Sequence, residues 1–259
     1  MSYLSEGSKP WYHKVIIAAV MIAAGKLVAV GVREVRAQTT DYDKIYEEQV
    51  TQNPTYSPFM NALKSDFPED YGKLKSQAIA MLREGKSREA LQSMSFVFMR
   101  NWLSRTAIYL AQAPSPMLRE YFMRSTALMK LMQSESDNLC ARYATEGLSP
   151  LDKLSPDVKT AMANLTGLKI KASKAGVTNP ANRPTQVSNN EWSELAGKLP
   201  ALGLSGSQMN ILAGTQLSSA SDKDKCEIAI AFNDGINVLP SQLADKLRAN
   251  LVISSVKTK

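Results

Sequence analysis

Histidine is nearly absent from this chain. The 259 residues contain one, His13, and it lies ahead of the longest purely apolar run. Whether that run is cleaved or retained as an anchor, His13 is separated from the body of the protein. Ser-His-Asp and Cys-His catalysis and histidine-based zinc sites are thereby excluded from that body. Cysteine is almost as scarce. Cys140 and Cys226, far apart in the chain, make neither a zinc nor an iron–sulfur motif. In an exported chain such a sparse, even count reads as one disulfide, Cys140 to Cys226.

Phosphate-cradling loops are missing too. Ala24-Gly25-Lys26-Leu27 lacks the first glycine of a P-loop and lies in an apolar stretch. Gly203-Leu204-Ser205-Gly206 is too short for a dinucleotide fingerprint and follows no strand pattern. Strand alternation does not persist anywhere, and no repeat recurs at a fixed period. These absences leave no recognisable cofactor or metal site. Only carboxylates remain for chemistry. Glycoside cleavage needs a placed Asp or Glu pair, but Glu84, Glu89 and Glu120 sit among basic residues. Such surroundings lower a carboxyl pKa, whereas a general acid needs it raised.

The longest purely apolar run, residues 15–25 (VIIAAVMIAAG), follows Lys9 and Lys14; Lys26 interrupts, and LVAVGV continues to Val32. Two membrane readings fit. In one, 15–25 is the h-region of a signal peptide, with Val35 and Ala37 preceding a cleavage before Gln38. In the other, 15–32 is an uncleaved span of near-minimal length, with Lys26 snorkelling and Trp11 and Tyr12 at the interface. A third reading buries the segment inside a soluble protein. Either membrane reading delivers the remainder across a membrane.

Charge is unevenly distributed around its total of +7. Residues 38–70 hold seven acids against two lysines, whereas 71–132 hold ten basic groups against three acids. An acidic lead and a basic body attract one another if they fold side by side. The sharper alternative is a basic face (Lys73, Lys75, Arg83, Lys86, Arg88, Arg119, Arg124) that meets an anionic lipid, glycan or protein. The basic groups match no nucleic-acid module, and export makes nucleic acid an unexpected partner. Lys169, Lys171 and Lys174 read as a solvated helix face.

Helical periodicity runs through the rest. A short helix near 41–50 leads into an extended linker, and Phe59 to Leu63 open a helix that Pro68 ends. Pro68-Glu69-Asp70 starts the next, striped by Tyr71, Leu74, Ala78, Met81 and Leu82. Ser87 caps a helix to about Gln112 that is apolar on two faces, which predicts a central position. Pro114-Ser115-Pro116 predicts Ser115 as N-cap of a helix over 116–133, forming a hairpin with its predecessor. Further helices are expected near 136–145, from Pro156 to about Ala175, after the Ser188–Glu191 capping box, over 205–213, 222–239 and 241–252. Residues 176–190 read as a linker, and the last seven residues as frayed. The 12 methionines allow a copper site in principle, but Met117, Met123 and Met129 do not share a face, and core packing explains them.

These observations predict an all-α, bundle-like domain preceded by an N-terminal hydrophobic targeting helix. Residues 1–37 would be signal peptide or anchor, 38–58 linker, and 59–259 the exported domain. The function expected is non-enzymatic, in a bacterial cell envelope, periplasmic or anchored in the inner membrane. It would act through protein or lipid contacts, with the membrane engaged through 15–32 if uncleaved. A carboxylate-based secreted hydrolase and a soluble helical adaptor are the alternatives.

Overall fold

A computed structural model describes residues 41–51, 57–148, 153–214 and 216–257. The targeting segment, His13 and part of the expected linker therefore lie outside the described residues. The described chain is all-α. Eleven α-helices follow in order: α1 (Tyr42–Thr51), α2 (Ser57–Asp66), α3 (Pro68–Arg83), α4 (Arg88–Ala111), α5 (Ser115–Glu135), α6 (Asp137–Thr145), α7 (Pro156–Thr178), α8 (Asn189–Lys198), α9 (Gly206–Ala213), α10 (Asp222–Asn237) and α11 (Ser241–Lys257). Among the described residues no helix is long and apolar enough to cross a membrane.

Serine starts most of these helices. The hydroxyls of Ser87, Ser136, Ser155 and Ser221 accept from backbone amides three residues on. Ser188 with Glu191 and Ser205 with Gln208 form complete capping boxes. Each satisfies amides that the first helical turn leaves without a partner. Ser115 departs from its expected role. Helix α5 begins at Ser115, with Pro114 as its N-cap and no side-chain cap bond. The Ser115 hydroxyl instead accepts a hydrogen bond from Arg183 Nη2 at 3.2 Å.

The interior has two parts. Buried side chains of α5, α6, α7, α10 and α11, with Leu195 and Leu199, form the larger cluster. A smaller one joins Tyr46 of α1, Phe59, Met60 and Leu63 of α2, Tyr71 and Leu74 of α3, and Met99 and Trp102 of α4. Thus α1 belongs to the fold and packs against α3, although it falls in the stretch expected to be linker.

The central helix is α7, not α4. It packs against α2, α4 and α5 and buries Val158, Met162, Leu165, Ile170 and Ala172. Gly167 and Gly176 let neighbouring backbones come close. A Cβ on Gly167 would stand 2.9 Å from the Pro58 carbonyl oxygen. Because α7 occupies the space between them, α4 and α5 do not pair as a hairpin; α4 lies against α7 and α11. The outer face of α4 stays open, with Val97 and Ile108 more than two-fifths exposed.

Two further expectations are corrected. Helix α7 runs on to Thr178, and the coil that follows is tied down rather than free. Ala181 donates to the Gln112 carbonyl at 2.8 Å, and Asn250 Nδ2 donates to the Thr185 carbonyl at 2.7 Å. Residues 253–257, expected to fray, are helical: α11 runs to Lys257, and Ser255 is fully buried.

Candidate functional site

An open groove of about 730 Å³ lies between α3 and α4. Its position follows from helix chemistry. Pro68 opens α3 and puts Asp70 in the first turn, where a carboxylate is stabilised by the helix dipole. On α4, Met94, Phe98, Trp102 and Arg105 recur at helical spacing and so share one face. The indole Nε1 of Trp102 donates to Asp70 Oδ2 at 3.0 Å, and Arg105 Nη2 donates to Asp70 Oδ1 at 2.7 Å. Phe67 stacks edge-on against Trp102, ring centroids 5.2 Å apart. Asp70 is thereby clamped from two sides, and it locks α3 to α4 at the groove floor.

Above that lock the lining is mixed. Met94, Val97 and Phe98 supply apolar surface from α4, while Lys73 and Gln77 line it from α3. Such a surface suits apolar side chains of a second molecule, with charge at the edge to set orientation. It offers no paired acid and base.

The carboxyls whose titration is displaced move the wrong way for a general acid. Burial alone would raise Glu47, but hydrogen bonds from Lys64 (2.8 Å), Lys75 (3.0 Å) and Tyr71 (3.0 Å) outweigh it and hold it low. Glu191 is drawn down to about 2 by Lys246 and by the Ser188 amide. Among the described residues no group of three or more His, Cys, Asp or Glu converges as a metal site would require.

The expected disulfide is formed. Cys140 of α6 and Cys226 of α10 are bonded, with Cα atoms 5.4 Å apart, and both residues are fully buried in the larger cluster. The charge asymmetry is also satisfied internally in part. Lys75 pairs with Asp43 and Glu47, each at 3.0 Å, and Arg105 with Asp70, so acids of 41–70 meet bases of 71–132.

The seven residues of the expected basic face are carried by α3, the turn after it, α4 and α5. Lys73 is exposed beside the groove. Lys75 is committed to its two acids. Lys86 pairs with Glu84 at 3.6 Å and Arg124 with Glu120 at 3.7 Å. Arg83 ends α3 and Arg88 begins α4, both near the turn joining them. Arg119 and Arg124 are on α5.

One lysine reading is overturned. Lys169 is not part of a solvated face; it is 4% exposed, its Nζ lies 5.8 Å from the Tyr121 ring centroid, and burial lowers its pKa to about 7. Lys171 is exposed, and Lys174 is half-buried against Phe67. The periodicity misleads because α7 is buried on most of its circumference.

Sequence reasoning also missed Arg183, Arg248 and Asp245, which form a polar junction at the other end of α4. Arg183 sits among Pro and Asn residues that resemble a linker. For Arg248 a signal existed: Leu247 and Ala249 flank it, and Asp245 stands three residues earlier, within reach on a helix.

No protein-family model, curated protein or solved structure matches the chain.

Proposed function

We propose that this protein is a non-enzymatic helical component of a bacterial cell envelope, and that it works by holding a partner protein in the α3–α4 groove. The observation that carries the reading is the buried Cys140–Cys226 bond. Disulfides form and persist in oxidising compartments and are rare where glutathione keeps thiols reduced. The apolar run at 15–32 supplies a route to such a compartment, as signal or as anchor. The groove supports binding over catalysis: its floor is an internally satisfied Asp70–Trp102–Arg105 cluster, while Val97 and Phe98 line it.

Cell fractionation with alkaline extraction, thiol alkylation and N-terminal sequencing of the recovered protein tests the placement. Recovery in the envelope with both cysteines resistant to alkylation is expected. Recovery in the cytosol with two free thiols would overturn it. A photo-crosslinking residue at Val97 tests the binding face. A discrete adduct lost on Phe98→Glu supports the groove, and an adduct indifferent to that change removes it.

A further inference from the structure

The side chains that α4 gives to the α3–α4 groove follow one line. Ala90, Met94, Val97, Asn101 and Arg105 recur every three or four residues, and together they cover about 22 Å of helix axis, or about four turns. Met94, Val97 and Phe98 make the middle of the groove apolar. Because Asp70 at the start of α3 bonds Arg105 late in α4, the two helices run antiparallel. Such a pair leaves a furrow in which a third helix can pack. Both walls are helices, so they offer no strand edge. An extended segment laid over the apolar middle would lose water from its peptide groups without gaining partners for them. A helix arrives with those groups already bonded and sets side chains at i, i+3, i+4 and i+7 along the furrow.

Charge gives the groove a direction. Three charged side chains line it: Asp70, Lys73 and Arg105. Asp70 is already engaged, since its two oxygens accept from Trp102 and Arg105. Lys73, one turn further along α3, is exposed, and its ammonium makes no ion pair or hydrogen bond among the described residues. The Arg105 side chain is 57% exposed and uses only Nη2 on Asp70. Two cations against one carboxylate leave the lining with a formal excess of one positive charge. Both cations lie towards the end where α3 begins, whereas Ala90 and Ser93 at the other end are small and uncharged. Outside the lining, the exposed Glu69 precedes Lys73 by one turn, and the exposed Arg100 sits 5.9 Å from the Phe96 ring centroid. Carboxylates of a bound segment are attracted to the cationic end, and lysines there are repelled.

Taking the groove as the docking face proposed above, we propose that its occupant is an acidic amphipathic α-helix of another protein. This helix is about four turns long. Its apolar ridge lies on Met94, Val97 and Phe98, and its carboxylates meet Lys73 and the free edge of Arg105. The Asp70–Trp102–Arg105 cluster beneath holds the two walls at a fixed spacing, so the furrow is formed before the helix arrives.

Three labelled peptides of about 15 residues test it. The first carries leucine at i, i+4, i+7 and i+11 with glutamate on the flanks. The second has lysine in place of each glutamate, and the third is the acidic peptide with a central proline, which breaks the helix. Each is titrated against the full chain by fluorescence anisotropy. The acidic helix should bind about fivefold or more tightly than either other peptide, with an affinity that falls as salt rises. Lys73→Glu should reverse the preference between acidic and basic peptides, and Val97→Asn, at an exposed position, should weaken binding of both. Circular dichroism confirms that each variant is folded. Equal or tighter binding of the basic or proline-broken peptide overturns the proposal, as does binding indifferent to Lys73→Glu. Self-association of the chain that is lost on Val97→Asn assigns the groove to a second copy and overturns it too. If no peptide binds while the Val97 photo-adduct persists, the acidic helix is removed and the groove remains a docking face; loss of that adduct removes the groove itself.

Discussion

Gly176 of α7 faces the backbone of Tyr109 of α4 so closely that a Cβ would stand 1.8 Å from the Tyr109 carbonyl oxygen and 3.1 Å from the Ala113 amide nitrogen. Both neighbours are main chain and cannot rotate away. Gly176→Ala must therefore separate α4 from α7 and open the seam between the two hydrophobic clusters. The expected loss is about 3 kcal/mol or more, read as a lowered midpoint in urea. Gly72→Ala on α3, where nothing lies within 4 Å of the added carbon, should be neutral or slightly stabilising, since alanine favours a helix.

Lys169 makes stability depend on alkali in a definite direction. Its pKa falls from 10.5 to about 7 on folding because burial disfavours the ammonium. Between those values the unfolded chain binds more protons than the native one, so raising the pH favours the native state. The penalty is full below about pH 7 and relieved towards pH 10. Lys169→Met should therefore stabilise the protein by about 2–4 kcal/mol at pH 6, with the gap from the parent shrinking as pH approaches 10. Denaturant unfolding of both proteins across that range measures it. A gap independent of pH would show that the amine keeps its ordinary affinity for a proton in the native state.

The Cys140–Cys226 bond closes a loop with a sequence separation of 86. Chain entropy assigns such a cross-link about 4–5 kcal/mol. Cys140→Ala with Cys226→Ala should lose a comparable amount in equilibrium unfolding, less whatever the repacked alanines recover. Because both sulfurs are buried, the native protein should resist dithiothreitol and be reduced only when denaturant opens the larger cluster. Mass spectrometry after timed alkylation distinguishes the two regimes.

Glu191 joins α8 to α11. Lys246 Nζ donates to both of its oxygens, at 2.7 and 2.8 Å, and the Ser188 amide donates to Oε2 at 2.8 Å. With its pKa drawn down to about 2, the contribution of this carboxylate is fully present above pH 4.5 and fades as the pH drops towards 2. Glu191→Gln should be less stable than the parent at pH 6 and converge with it near pH 2. Failure to converge would mean that Lys246 and Ser188 are not what stabilises the charge.

Much of the helix pattern was legible because its signals are local. Ser155-Pro156-Asp157 and Ser188 to Glu191 announce helix starts within four residues, and both behave as read. The cysteine pairing was legible from scarcity together with the expectation of export. What was not legible depends on tertiary order. Helix α4 is apolar on two faces and so resembles a central element, yet α7 takes that place with small residues, Gly167, Ala172, Ser173 and Gly176, whose value lies in close approach rather than hydropathy. The burial of Lys169 follows from that same displacement. The α3–α4 groove was hidden for a related reason: two apolar faces on α4 do not tell which side chains are covered, and only the packing shows that Val97 and Phe98 line an opening. Arg183 could not be assigned until the coil carrying it was seen folded back across the α4–α5 turn.

The sulfur bridge has a mechanical consequence. It joins α6 to α10, leaving α1 to α5 ahead of the covalent ring. Tension applied at the N-terminal end, as a tether there would apply, reaches α1 first. It can strip the smaller cluster from α7 without stretching any covalent cross-link. Extension then halts at Cys140, where load passes through sulfur to Cys226 and bypasses α7, α8 and α9 altogether. The half of the molecule that carries the open groove is thus the yielding half, and the half enclosed by the ring holds its shape under pull.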